Sequence, residues 1–123
     1  MSTIPQVTYT DQGAAAVVRP VGEFDINETD QLRSAFVEAI SATRPRVVVD
    51  LSLTTFLDSM ALGAIVGAHR RAVVWGGWVC LVAPPANVLK VLRITKLDTV
   101  LPIYDTVDQA LGHGRGTSQP SAS

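Results

Sequence analysis

Residues 46–51, RVVVDL, form an unbroken, largely β-branched run, and from residue 62 the apolar side chains recur three and four apart. A continuous run of this kind suits a strand covered on both faces, as in a parallel or mixed sheet. The spacing of Leu62, Ile65, Val66, His69, Ala72 and Val73 suits one face of a helix. The stretch VVVDLSLTTFLDSMALGAIVGAHRR, residues 47–71, therefore reads as a buried strand that feeds a helix. That pairing constrains the chain to a sheet with helices packed against it.

The flanking sequence fits the same plan. QVTYT and AAAVVRPVG, on either side of DQG, read as a hairpin, and GEFDIN then breaks the strand pattern. From Glu28, residues Leu32, Ala35, Phe36, Ala39 and Ile40 recur at helical spacing, with Asn27 as the cap and Asp30 in the first turn. This helix must stop before Pro45. Gly76 and Gly77 end the central helix. WVCLVA is a second buried strand, and PPANVLKVLRITKL opens the next helix with proline. In that helix Val88, Val91 and Leu92 face inward, and Lys90, Arg93 and Lys96 face outward. VLPIY is a short edge strand marked by Pro102, and DTVDQALG a closing helix capped by Asp105. The order is β-β-α-β-α-β-α-β-α, an α/β domain over residues 1–112 with a disordered tail at 113–123.

Bulk properties exclude several function classes. The chain has 123 residues, 47% apolar and 17% charged, which is enough to bury one core without disulfides or metals. A net charge of -1 gives no electrostatic footprint for nucleic acid. No apolar run approaches the ~20 residues of a membrane helix, and MSTIPQVTYTDQG lacks the regions of a signal peptide. A cytoplasmic protein is expected. Cys80, the one cysteine, reads as a small core residue. No P-loop, Gly-x-Ser-x-Gly elbow or Cys/His metal spacing is present, so neither cofactor nor metal is expected.

Asp58 and Ser59 stand at the changeover from strand to helix. Asp or Ser there satisfies free backbone N–H groups as a cap. The same end of a helix favours negative charge, so a serine there can carry a phosphate without unfolding the helix. Phosphorylation would add about -1.5 to -2 charges beside Asp58. A docked partner would then meet repulsion while the fold stayed intact.

At this motif the chain resembles STAS domains, and among them the bacterial anti-sigma factor antagonists. LDSMALG is similar to the family's Asp-Ser-Ser/Thr-Gly-Leu-Gly, which opens its second helix. VRPVGEFDINETDQLRSAF is similar to its Gly-Glu-apolar-Asp segment and first helix, and VLKVLRITKLDTVLPIYDTVDQAL to its C-terminal third. The likeness runs from about residue 5 to 111. It implies a mixed, mostly parallel sheet with about four helices. It also implies that Ser59 is phosphorylated by a partner kinase, that Asp58 precedes the acceptor, and that Leu62 and Gly63 are the following Leu-Gly. Gly22, Glu23 and Asp25 match the loop near the acceptor. By the same resemblance, the unphosphorylated protein binds an anti-sigma factor that is itself a serine kinase and so releases the sigma factor. Phosphorylation ends that binding and a serine phosphatase restores it. Met60 stands where Ser or Thr is usual, and Ala61 where Gly is usual. The Ala61 methyl is expected close to the acceptor, where a partner's backbone approaches. Met60 adds a flexible apolar group there.

A stripe of mostly small side chains, Met60, Ala64, Gly67, Ala68 and Arg71, is expected on the solvent side of the Ser59 helix. Met60, Ala64 and Gly67 of that stripe, with Gly22, Glu23, Asp25, Asp58, Ser59, Ala61 and Gly63, make the expected partner surface. Thr54 and Thr55 are weaker phosphoacceptors. Catalysis has little support: Asp25 with Asp58, or Ser59 as a nucleophile, would be its only material, and His69 sits on the apolar helix face. The alternative is an unswitched scaffold or ligand-sensing module of the same fold, with Ser59 as a plain cap. The protein is expected to be a monomer or weak dimer that contacts neither nucleic acid nor membrane.

Overall fold

The valines of the central run alternate between two cores. In the computed structural model, which describes residues 6–12, 15–25 and 27–113, strand β3 spans Arg46–Asp50. Val47 and Val49 enter one cluster and Val48 the other, so β3 is buried on both faces. Strand β5 (Trp78–Val82) repeats the pattern, with Val79 and Leu81 on one side and Cys80 and Val82 on the other.

Around this pair the sheet runs β1-β2-β3-β5-β6. Strands β1 (Gln6–Gln12) and β2 (Ala15–Phe24) are antiparallel, from Gln6 opposite Val21 to Gln12 opposite Ala15. Every other pairing is parallel. Strand β6 (Ile103–Tyr104) lies at the edge, as Pro102 predicts.

Helices α1 (Thr29–Ala39), α2 (Ser59–Val74) and α3 (Ala86–Ile94) contribute Leu32, Phe36, Ile65, Val88 and Leu92 to the larger core on one face. Helix α4 (Val107–Leu111) brings Ala110 to a smaller core on the other face, with Tyr104, Cys80 and Val82. Among the described residues no helix is long and apolar enough to cross a membrane.

The structure corrects the expected order by one strand. Thr54–Leu57 forms β4, which pairs with the end of β2 beyond the point where β3 stops. Strand β2 accordingly continues through Gly22 and Glu23 to Phe24, where a break was expected. Gly22 permits this: its φ is +97°, its N–H donates to the Leu53 carbonyl, and the register shifts between Gly22 and Glu23.

Other expectations also change. Asn27 is not the cap of α1; the N-cap position is Glu28, whose side chain makes no capping bond, while the Asn27 N–H donates to Asp25 Oδ1. Thr106, not Asp105, caps α4 by accepting from the Gln109 N–H. Val91 is 43% exposed rather than inward, because Val88 and Leu92 alone fill the core side of α3. His113 belongs to the fold rather than a tail. Its Nδ1 bonds the Tyr104 hydroxyl and its ring meets Trp78 edge-on at 5.1 Å. The rest of the expected tail, 114–123, lies outside the described residues, as does Gly13 of the expected DQG turn.

Candidate functional site

Two parallel strand ends build one corner. Strands β2 and β4 stop side by side, with Phe24 opposite Leu57, and the Asp58 N–H donates to the Phe24 carbonyl at 3.1 Å. Asp25 and Asp58 therefore leave adjacent strands at the same level. Glu23, opposite Phe56, is exposed one step earlier. The expected residues Gly22, Glu23, Asp25, Asp58 and Ser59 are thus brought together, although Gly22 itself is buried in the ladder.

Asp58 is the cap. Its backbone is extended, its Oδ1 accepts from the Ala61 N–H at 2.9 Å, and its carbonyl accepts from the Leu62 N–H at 2.9 Å. Ser59 is the first helical residue and is exposed. Its hydroxyl makes no hydrogen bond among the described residues, so capping leaves it free. The Ser59 and Met60 N–H groups have no intrahelical acceptor at this position, and the positive end of the helix dipole lies here.

The neighbouring turn is acidic and self-bonded. The Asp25 carboxyl is held below its ordinary value by a hydrogen bond shared with Glu28, and then by the Asn27 N–H. The shared bond, burial and the Asp25 charge raise Glu28, which is therefore the partner that keeps a proton to higher pH. The Asp25 carbonyl accepts from the Glu28 N–H and the Thr29 hydroxyl, fixing the entry to α1. Glu28 was missed from sequence; its place three residues after Asp25 was the available signal. Phe56, 41% exposed on β4 and three residues before Ser59, was missed with its strand.

Helix α2 is turned differently from the expected face. Ala61, Leu62, Ala64, Ile65, Ala68 and Ala72 are buried, while Val73 is 52% exposed. Ala61 and Ala64 were expected on the partner surface, and Ala68 on the solvent side of the helix. Their small side chains instead let α2 approach the core closely, and the Ala61 methyl points away from the acceptor. Met60, Gly63 and Arg71 are exposed and Gly67 half-buried, so a narrower stripe remains outside. Thr54 is buried and its hydroxyl donates to the Pro20 carbonyl at 2.8 Å, which removes it as an accessible acceptor; Thr55 is exposed.

No nucleophile system is assembled from the residues that sequence offered. His69 lies ten residues along α2 from Ser59, about 15 Å by helical rise. His113 is committed to Tyr104 across the sheet. Asp58 is committed to its cap and Asp25 to its turn. Among the described residues no group of three or more His, Cys, Asp or Glu could hold a metal.

The STAS domain family matches residues 6–110, nearly the whole described chain. This protein belongs to the STAS domain family. An anti-sigma F factor antagonist of Paenibacillus polymyxa is 32% identical over 109 residues, covering 86% of this chain and 92% of its own. The crystal structure of an anti-sigma factor antagonist from Mycobacterium paratuberculosis superposes with a TM-score of 0.82 at 26% identity, covering 94% of this chain and 99% of that one. The fold is shared as well with the Bacillus cell fate determinant SpoIIAA in its phosphorylated form, at 22% identity, a TM-score of 0.70, and 88% and 96% coverage of the two chains. At that distance the likeness is one of fold alone. Within this STAS domain, the LDSMALG segment falls on the β4–α2 turn, and GEFD on the strand end beside it.

Proposed function

We propose that this protein is an anti-sigma factor antagonist that acts by binding and is switched at Ser59. The unphosphorylated corner docks on an anti-sigma factor that is also a serine kinase, and the sigma factor is released. Phosphorylation of Ser59 ends the complex and a serine phosphatase restores it. The observation that carries this reading is the division of labour at the helix start. Asp58 holds the cap, and the neighbouring Ser59 hydroxyl is exposed and, among the described residues, unbonded.

The physics of the switch follows from that corner. A phosphate on the first helical residue gains from the free N–H groups and the dipole, so the fold tolerates it. On the surface it adds about -1.5 to -2 charges beside Glu23, Asp25 and Asp58. A partner fitted to the neutral serine then faces repulsion and must strip water from a dianion. Met60, 49% exposed next to the acceptor, supplies apolar contact that its position carries in place of Ser or Thr.

The test uses purified anti-sigma kinases of the same cell. One should transfer phosphate to the intact protein, with the mass increment mapped to Ser59 and lost in Ser59→Ala. Calorimetry should then show Ser59→Ala binding that kinase and Ser59→Asp binding it at least tenfold more weakly, about 1.4 kcal/mol. Equal affinity for both variants rules the switch out.

A further inference from the structure

We propose that the outer face of α3 is a second contact surface, which docks an acidic, amphipathic segment of the same anti-sigma factor. This rests on the reading that the Ser59 corner binds such a factor. Val88 and Leu92 lock α3 onto the core and so fix which side chains face out. Ile94 is 71% exposed and Val91 43%, and Val100, just after the following 3-10 turn, is 42% exposed. Lys90, Arg93 and Lys96 surround them, all exposed and without an ion pair among the described residues. Residues 86–100 hold these three cations against one acid, Asp98, in a chain whose net charge is -1.

Helix α3 packs beside β4, the strand that leads into Asp58 and Ser59. The cationic, apolar ridge of α3 is therefore carried on an element packed against the strand that leads into the acidic corner of Glu23, Asp25 and Asp58. A partner that spans both must place basic groups on the corner and acidic groups on the ridge. The reversed orientation would bring like charges together, so the pair of surfaces fixes how the partner docks. Aliphatic side chains at 91, 94 and 100 call for an apolar stripe between the partner's acids, as on an amphipathic helix.

A lipid surface fits less well. Interfacial helices present bulky Trp, Phe or Leu on a long apolar face, whereas α3 has nine residues and exposes Val and Ile. A flat anionic sheet of headgroups would also meet the acidic corner. Nucleic acid phosphates would meet the same repulsion.

The experiment is calorimetry with the purified anti-sigma kinase that modifies Ser59. The variants are Lys90→Glu/Arg93→Glu, Ile94→Ser, Ser59→Asp and, on α1, the control Glu38→Lys. We expect the double charge reversal to weaken binding roughly tenfold or more and to flatten its salt dependence. Ile94→Ser should weaken it several-fold, and Glu38→Lys should leave it unchanged. Circular dichroism melts confirm that each variant folds. Unchanged affinity in both α3 variants, with Ser59→Asp still weak, overturns the ridge and keeps the switch. Weakening in the α3 variants with none in Ser59→Asp keeps the ridge and overturns the switch. If no variant and no anti-sigma kinase bind, both fall. Sedimentation of the unaltered protein, but not the double variant, with phosphatidylcholine–phosphatidylglycerol vesicles, at unchanged kinase affinity, assigns the ridge to membranes and overturns the proposal.

Discussion

At the residue scale, Asp58 and Cys80 are fixed by opposite needs. Asp58 satisfies two helix N–H groups, one by its carboxylate and one by its carbonyl. Only the first depends on the side chain. Asp58→Ala should therefore lower stability by about 1 kcal/mol, and Asp58→Asn by a few tenths, because Asn keeps the acceptor. Urea denaturation midpoints test this; equal losses in both variants would mean that the charge matters more than the bond. Asn also separates cap from recognition, since it preserves the helix start and removes one negative charge beside Ser59. Cys80 is fully buried between β3 and β6, and burial pushes its thiol up to about 12. The thiolate is the reactive species, so the native protein should react with a colorimetric disulfide reagent no faster than it unfolds. Denaturant should release one rapid equivalent. Prompt reaction in the native state would contradict this packing.

At the element scale, the far end of α2 is as specified as its start. The Gly76 N–H donates to the Val73 carbonyl and the Gly77 N–H to that of Ala72, the double bond of a Schellman ending. Gly76 sits at φ +82°, so Gly76→Ala should cost about 1–2 kcal/mol through backbone strain. A Cβ on Gly77 would fall 1.8 Å from the Pro45 carbonyl oxygen, which is backbone with nowhere to retreat. Gly77→Ala should therefore cost more than Gly76→Ala, because it pushes apart the starts of β3 and β5. Thermal melts of the two variants decide the order. The sequence announced this stop, because glycine pairs after a periodic run carry local chemistry. The Asp58–Ser59 start was legible for the same reason. Strand β4 was not. Four residues, TTFL, show no alternation, and their strand exists because Gly22 lets β2 run on and offer a partner. The rotation of α2 was misread because its apolar residues are spread around the helix. Alanines at 61, 64, 68 and 72 win the inner side by allowing close approach, a tertiary preference that periodicity cannot weigh. The Asp25–Glu28 pairing likewise needed the turn itself.

At the scale of the whole molecule, the sheet separates two cores of unequal depth, and acid should act on the shallower side first. There, among the described residues, α4 is the one helix over Tyr104, Cys80 and Val82, and His113 closes its end against Tyr104 and Trp78. Burial lowers the affinity of His113 for a proton. The unfolded chain then binds more protons as pH falls below the ordinary histidine value of 6.5, so this contribution to stability is present above 6.5 and lost below it. Asp50 adds a second window on the same face. Burial alone would raise its carboxyl, but bonds from Ser52 and Arg19, the latter at 2.9 Å, bring it below the ordinary 3.8. Its contribution is present above 3.8 and lost as pH falls through the lowered value. Glu28, raised by its hydrogen bond with Asp25, works the other way: its contribution is present below 4.5 and lost as pH rises through the raised value. Urea midpoints across this range should thus decline in two steps. His113→Gln should remove the first step and leave the second. Asp50→Asn should remove the second, at a loss at neutral pH of about 1–3 kcal/mol for a weakened buried bond. Trp78 fluorescence in a Trp75→Phe background should report the first step, because Trp78 touches His113 directly while Trp75 is exposed. A midpoint that stays level as pH crosses 6.5 in the unaltered protein would mean that His113 is not held by the fold, and that the smaller core ends at Leu111.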